Sequence, residues 1–296
     1  MNNIKTALLM LALIILFVFI GELIAGKEGM TWAFMMAVMM NGIAYWFSDK
    51  IVLFMYGAKE VKEEDLPELH SIIRELAMLM SLPIPKVYII DTPMPNAFAT
   101  GRNPKHSAVA ITTGLLNLLD KRELRGVLAH ELSHIKNRDT LISLIAATIA
   151  GAIFTLARLG QWALLFGGGR RDERGSSNPL GAIGLLLMII IAPLAAMIIQ
   201  FAISRSREYE ADRSAAVAIS DPLSLANALR KIHYEITRRP VGDINPTTAH
   251  MFIVNPLRGE NILNLFSTHP PINERIKRLE ELYYALQKYN IPPIVR

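Results

Sequence analysis

Four long apolar runs, set between polar segments, restrict this chain more than any other feature. A run of about 20 apolar residues either crosses a bilayer or needs a large core to bury it. The first, residues 6–26 (TALLMLALIILFVFIGELIAG), carries Glu22 as its only charge. It exceeds the length of a signal-peptide core and no small-residue cleavage pattern follows it, which reads as a retained anchor. The second, Thr31 to Phe47, closes on YWFSDK, where Tyr45 and Trp46 suit a membrane interface. Residues 1–47 are therefore expected to form a transmembrane hairpin. A third run, Leu141 to Ala157, and a fourth, Leu180 to Ile203, flank the loop GGGRRDERGSSNP. They predict a second hairpin over residues 141–203, with Pro193 tolerated inside it.

Composition agrees with a membrane protein: of 296 residues, 52% are hydrophobic and only 19% charged. The net charge of +5 comes from basic residues scattered outside the apolar runs. They read as membrane-facing and topological charge, and no nucleic-acid partner is expected. Four spans would leave both termini and the central segment on one side. Those parts hold most of the Lys and Arg, so the positive-inside rule makes this a multi-pass protein of the cell membrane with its polar part in the cytoplasm. The three arginines of RRDERGS, on the other side, oppose that orientation. Cysteine is absent, so disulfides, redox pairs and thiolate metal sites are excluded and any metal must be held by His, Asp or Glu.

The polar segments, residues 48–140 and 204–296, are expected to make one catalytic part in two pieces. In the first, LPELHSIIRELAMLMSL has apolar residues at helical spacing, while KVYIIDT and SAVAITT read as short strands around the turn-rich PMPNAFATGRNP. The second piece reads as mainly helical. The fold class is therefore α+β, mainly helical, with a four-helix membrane part.

The chemistry concentrates in RGVLAHELSHIKNRD, residues 125–139. His130 and His134 are four apart, so a helix presents both imidazoles on one face to the same cation. Glu131 points to the side, within reach of a metal-bound water as a general base. Catalytic zinc normally takes a third protein ligand. After the fourth run comes SRSREYEAD, in which Glu208 and Asp212 again share a helical face. Glu208 is placed to bind the metal and Asp212 to hold a ligand imidazole. Glu210 lies on the far side of that helix.

HELSH, then SRSREYEAD, then STHPPINERIKRL, together with the two hairpins, resemble the HtpX family of integral membrane zinc endopeptidases, relatives of the CAAX prenyl endopeptidases. PNAFATG and HMFIVNPL also look like family segments. The resemblance implies a zincin-like cytoplasmic catalytic domain and one Zn2+ per chain held by His130, His134 and Glu208. It also implies Glu131 as base, Asp212 as partner of a ligand imidazole, and His269 as a donor to the oxyanion. Arg275 would orient His269 or bind peptide. Asn96, Ala97, Phe98 and Ala99 would lie in a strand edge against which an extended peptide adds. The implied activity is hydrolysis of peptide bonds in misfolded or membrane-associated proteins, as part of quality control under stress. The rivals are a prenyl-protein endopeptidase, which usually has more spans, and a non-catalytic membrane scaffold, which leaves Glu131 beside two spaced histidines unexplained.

Overall fold

A computed structural model describes residues 2–142, 205–238, 253–254 and 270–288. The third and fourth apolar runs lie outside the described residues except for Leu141 and Ile142. Helix α1 (Asn2–Met55) takes in both of the first two runs. It reverses direction at Gly26, whose φ of +59° is left-handed and open to glycine at no steric cost. In a straight helix Met10 and Asn41 would stand about 46 Å apart. Instead, the Asn41 side-chain amide donates to the Met10 carbonyl at 3.0 Å, so the two arms run antiparallel.

Small residues let the arms approach. A Cβ at Gly21 would fall 2.4 Å from the Gly29 carbonyl oxygen, so this contact accepts glycine alone. Ala33, Ala37, Asn41 and Ala44 form the buried stripe of the second arm, and Leu13 and Phe17 are buried on the first. The large apolar side chains face outward: Leu8, Leu11, Ile15 and Phe19 on one arm, Trp32, Met36, Met39 and Trp46 on the other. Among the residues whose side chains are described, no unbroken helical stretch is long and apolar enough to cross a membrane.

The remaining elements form an α+β domain. Its sheet contains β1 (Lys59–Glu60), β2 (Lys86–Ile90), β3 (Ala97–Asn103) and β4 (His106–Thr112) in the order β1-β2-β4-β3. Strands β2 and β4 are parallel, while β3 pairs antiparallel with β4 and stands at the edge. The turn-rich sequence between the two expected strands thus contains a third. Ala97 and Phe98 gain partners in Ile111 and Ala110, which outweighs the Gly101 that made the segment look like a loop. The apolar run of β4 follows from cover on both faces. Val109 and Ile111 join the main core, whereas Ala108 and Ala110 meet Val52 and Leu53 at the base of α1.

Helix α2 (Pro67–Leu79) contributes Leu69, Ile72, Ile73 and Leu76 to that core, the spacing of a one-sided amphipathic helix. A short α3 (Thr113–Leu118) leads into α4 (Lys121–Asn137). Helix α4 opens with a reciprocal cap, Asp120 accepting from the Glu123 amide at 2.8 Å and Glu123 from the Asp120 amide at 3.0 Å. It stops at Arg138 in the left-handed conformation. Helices α5 (Arg205–Ile219), α6 (Pro222–Arg238) and α7 (Ile272–Lys288) complete the described domain. Leu128 and Leu132 of α4 pack with Ala215 of α5 and Leu229 of α6, so α4 is enclosed on most sides.

Candidate metal centre

His130, Glu131 and His134 of α4 lie where α4 and α5 face each other. His130 and His134 approach with Nε2 atoms 3.2 Å apart. Glu208, from the first turn of α5, brings one carboxylate oxygen to 3.7 Å from His130 Nε2 and the other to 3.5 Å from His134 Nε2. Ligand atoms of these three residues all lie within 4.8 Å of one another. A tetrahedral zinc site with bonds near 2 Å has ligand atoms about 3.3 Å apart, and these separations fit that spacing.

Both imidazoles are held from behind. His130 Nδ1 lies 2.9 Å from Asp212 Oδ1, a short contact with imperfect alignment. The Arg275 guanidinium grips Asp212 at both oxygens, Nη2 at 2.7 Å and Nε at 2.8 Å. His134 Nδ1 lies 3.2 Å from Asp139 Oδ2. A carboxylate on Nδ1 sets the tautomer that turns Nε2 toward the common point. Asp139 had no role in the sequence reading. Its signal is the aspartate five residues after His134, beyond a cap that carries the chain out of helical periodicity.

Electrostatics favour a cation. Glu131, Asp139, Glu208 and Asp212 are each no more than 5% exposed, against one fully buried cation, Arg275, and the half-buried Arg207 nearby. Burial would lower the His134 pKa, but the bond to Asp139 and the charges of Glu208 and Glu131 raise it to about 9. The field that stabilises a proton there also stabilises a metal ion. Burial would lift the Asp212 carboxyl, yet the charge and hydrogen bonds of Arg275 hold it well below the usual carboxylate range. Glu131 goes the other way, pushed up by burial, with the imidazoles and one amide in partial opposition.

Glu131 connects the centre to the sheet. Its Oε2 accepts the Ala99 N–H at 2.9 Å, so the edge strand β3 lies directly over the α4 motif. Asn96, Ala97 and Phe98 are buried and Ala99 half-buried. Asn96 Oδ1 accepts from the Ile253 amide at 3.1 Å, and the Ile253 carbonyl accepts from Arg275 Nη1 at 2.9 Å. A chain of hydrogen bonds thus runs from Asn96, at the start of β3, through Ile253 and Arg275 to Asp212, whose Oδ1 in turn contacts His130. It places Arg275 against Asp212 and away from solvent, at 1% exposure. Glu210 is exposed on the other side of α5. His269 lies outside the described residues.

Two histidines and a glutamate that could hold one metal ion, with Glu131 beside them, are the kind of centre a metallopeptidase uses. A model of "Peptidase family M48" matches residues 63–283, and the chain belongs to that family. A "Protease HtpX homolog" of Thermodesulfovibrio yellowstonii is 60% identical over 282 residues, 95% of this chain and 99% of that one. Another, from Pyrococcus furiosus, is 53% identical over 279 residues, 94% and 95% of the two chains. Among solved structures, that titled "Crystal Structure of S. mikatae Ste24p" matches with a TM-score of 0.54 at 20% identity. It covers 94% of this chain, which spans 65% of the longer one, and at that identity it speaks to fold alone. The HtpX resemblance seen in the motifs agrees with these relatives, and the prenyl-protein and scaffold alternatives are not favoured.

Proposed function

We propose that this protein is a zinc-dependent endopeptidase of the cell membrane that hydrolyses peptide bonds in misfolded or membrane-associated proteins, with its catalytic domain in the cytoplasm. The observation that carries it is the convergence of His130, His134 and Glu208, with Glu131 beside them and an edge strand above. One Zn2+ per chain, held by those three residues, would supply Lewis-acid polarisation of the scissile carbonyl and of the attacking water. Glu131 takes a proton from that water on its free carboxylate oxygen and delivers it to the departing amine nitrogen. The Ala99 N–H fixes the rotamer of Glu131 while it does so. Asp212, backed by Arg275, and Asp139 hold the two imidazoles in place. His269, one residue before the buried Pro270 and six before Arg275, is assigned the donor to the oxyanion. The segment Asn96–Ala99 would pair with an extended peptide along β3, giving broad sequence tolerance.

Membrane placement rests on α1. At helical rise the first arm is about 36 Å long and the second about 44 Å, against about 30 Å of bilayer hydrocarbon. Its largest apolar side chains point away from the partner arm, the pattern expected where lipid and not water surrounds a helix pair.

The test compares wild type and Glu131→Gln, purified in detergent, for bound zinc and for cleavage of an unfolded protein. About one zinc in each, with cleavage by wild type alone, supports the assignment. Cleavage by Glu131→Gln at the wild-type rate removes Glu131 as the base, and a folded wild type without zinc removes the centre itself.

A further inference from the structure

Where the arms of α1 meet the domain, the structure holds a cavity of about 640 Å³ distinct from the metal centre. Met10, Tyr45 and Leu141 give it an apolar side, while Arg102, Lys105 and Arg138 give it a cationic one, and no acidic residue among the described residues lines it. None of the three cations is ion-paired with a carboxylate among the described residues. Arg102 is held in place by Trp46, lying 4.9 Å from its ring centroid and donating to its carbonyl at 3.4 Å. Lys105 sits in the exposed turn between β3 and β4, and Arg138 ends α4 in the left-handed conformation. Three cations without a carboxylate partner among the described residues repel one another around one cavity, and an anion would complete the set. The apolar wall made by the hairpin favours an anion that carries hydrocarbon.

We propose that this cavity binds the phosphate headgroup of an anionic phospholipid, with the acyl chains lying along the outside of α1. The inference rests on the membrane placement proposed above. The headgroup sits at the level where Tyr45 and Trp46 meet the bilayer surface, the depth at which phosphates lie. Basic pockets at the cytoplasmic ends of membrane helices select such headgroups, each Lys or Arg adding about one kcal/mol. Three together correspond to a preference of about a hundredfold. A lipid here would tie the β3–β4 turn to the hairpin and so set the height of the metal centre above the membrane.

The experiment exposes detergent-purified full-length protein to phosphatidylglycerol, phosphatidylcholine or inorganic phosphate and counts bound molecules by native mass spectrometry. Wild type should retain one phosphatidylglycerol at about a hundredfold lower concentration than phosphatidylcholine. Arg102→Gln with Lys105→Gln should reduce that preference about thirtyfold, and Lys105→Glu alone, at an exposed turn, about tenfold. All variants should keep their zinc and cleave a soluble unfolded protein at the wild-type rate, which shows that they are folded. Equal retention of both lipids, or a preference untouched by the variants, overturns the site. So does inorganic phosphate that displaces phosphatidylglycerol at equal concentration, because the ligand is then the free ion. Entry into phosphatidylcholine vesicles without anionic preference overturns this inference alone. Failure to enter any vesicle overturns the membrane placement and this site with it.

Discussion

The hairpin and the domain bury opposite things. Among the described side chains, the interior of α1 holds small residues, Leu13 and Phe17, and the polar Asn41, while most of the large apolar side chains face outward. In the domain, large aliphatic side chains fill the core, and polarity is buried mainly where α4 meets α5. Water explains the domain, since apolar burial drives its folding. In the proposed membrane setting the hairpin would gain nothing by that route, and close backbone approach and a hydrogen bond would hold its arms together. A polar residue inside either region is therefore costly unless it has a partner, but the partners differ in kind. Asn41 is satisfied by one carbonyl, whereas His130, His134 and Glu208 of the α4–α5 cluster form a group that could hold a metal ion.

The sharpest way to break this contrast is to remove a metal ligand. Glu208→Ala should abolish both bound zinc and detectable cleavage, because two imidazoles alone do not make a closed protein ligand set. The hairpin should be unaffected, so the variant should still enter vesicles. Retention of zinc, measured by metal content after dialysis against a weak chelator, would show that another residue serves as third ligand.

Removing the guanidinium behind the site comes next. Arg275→Met leaves Asp212 ionised and 4% exposed, and breaking such a buried pair costs about 3–5 kcal/mol. Chemical denaturation of the zinc-free protein should show that loss, and zinc affinity should fall by about 10 to 100-fold, as for other groups that orient ligands. A stability change under about 1 kcal/mol would mean that Asp212 gains a proton in the variant. The same comparison at Asp139 should be milder. Its partner His134 has a side chain 15% exposed, against 2% for His130, so water takes over some of what Asp139 supplies. Asp139→Asn should weaken zinc binding by about tenfold and leave Asp139→Glu close to wild type. Equal losses at Asp139 and Asp212 would show that burial does not rank the two supports.

What was legible in the sequence follows the range of the interactions. His130, Glu131 and His134 share one helix, so spacing alone predicts their common face. Glu208 and Asp212 were legible as a pair for the same reason, and the order of the motifs linked them to α4. Asp139 escaped because it follows the αL residue Arg138, where helical periodicity stops. The Asn96–Ile253–Arg275–Asp212 chain escaped because its members are 157, 22 and 63 positions apart, and no local pattern encodes such contacts. Strand β3 was partly legible. Its Gly and Asn read as turn residues until the pairing with β4 is known. The reversal at Gly26 follows from a short polar break, GKEG, between two runs too long to be one span.

The smallest effect should come from the hairpin's own polar contact. Asn41→Leu removes the 3.0 Å bond to the Met10 carbonyl, but that carbonyl keeps its helical partner, so no group is left without one. Hydrogen bonds between helices in lipid contribute about 0.6 kcal/mol on average, and the variant should lose about that much in hairpin association. Cleavage of a soluble unfolded protein should not change, because the site hangs on α4, α5 and β3. Gly21→Leu at the same interface should cost more, since its side chain meets the Gly29 backbone at a distance that no rotamer relieves. If Asn41→Leu instead halves zinc content or cleavage, the hairpin and the metal centre are coupled through the base of α1. Val52 and Leu53, packed under Ala108 and Ala110 of β4, would then be the contact that carries the strain to the edge strand and to Glu131.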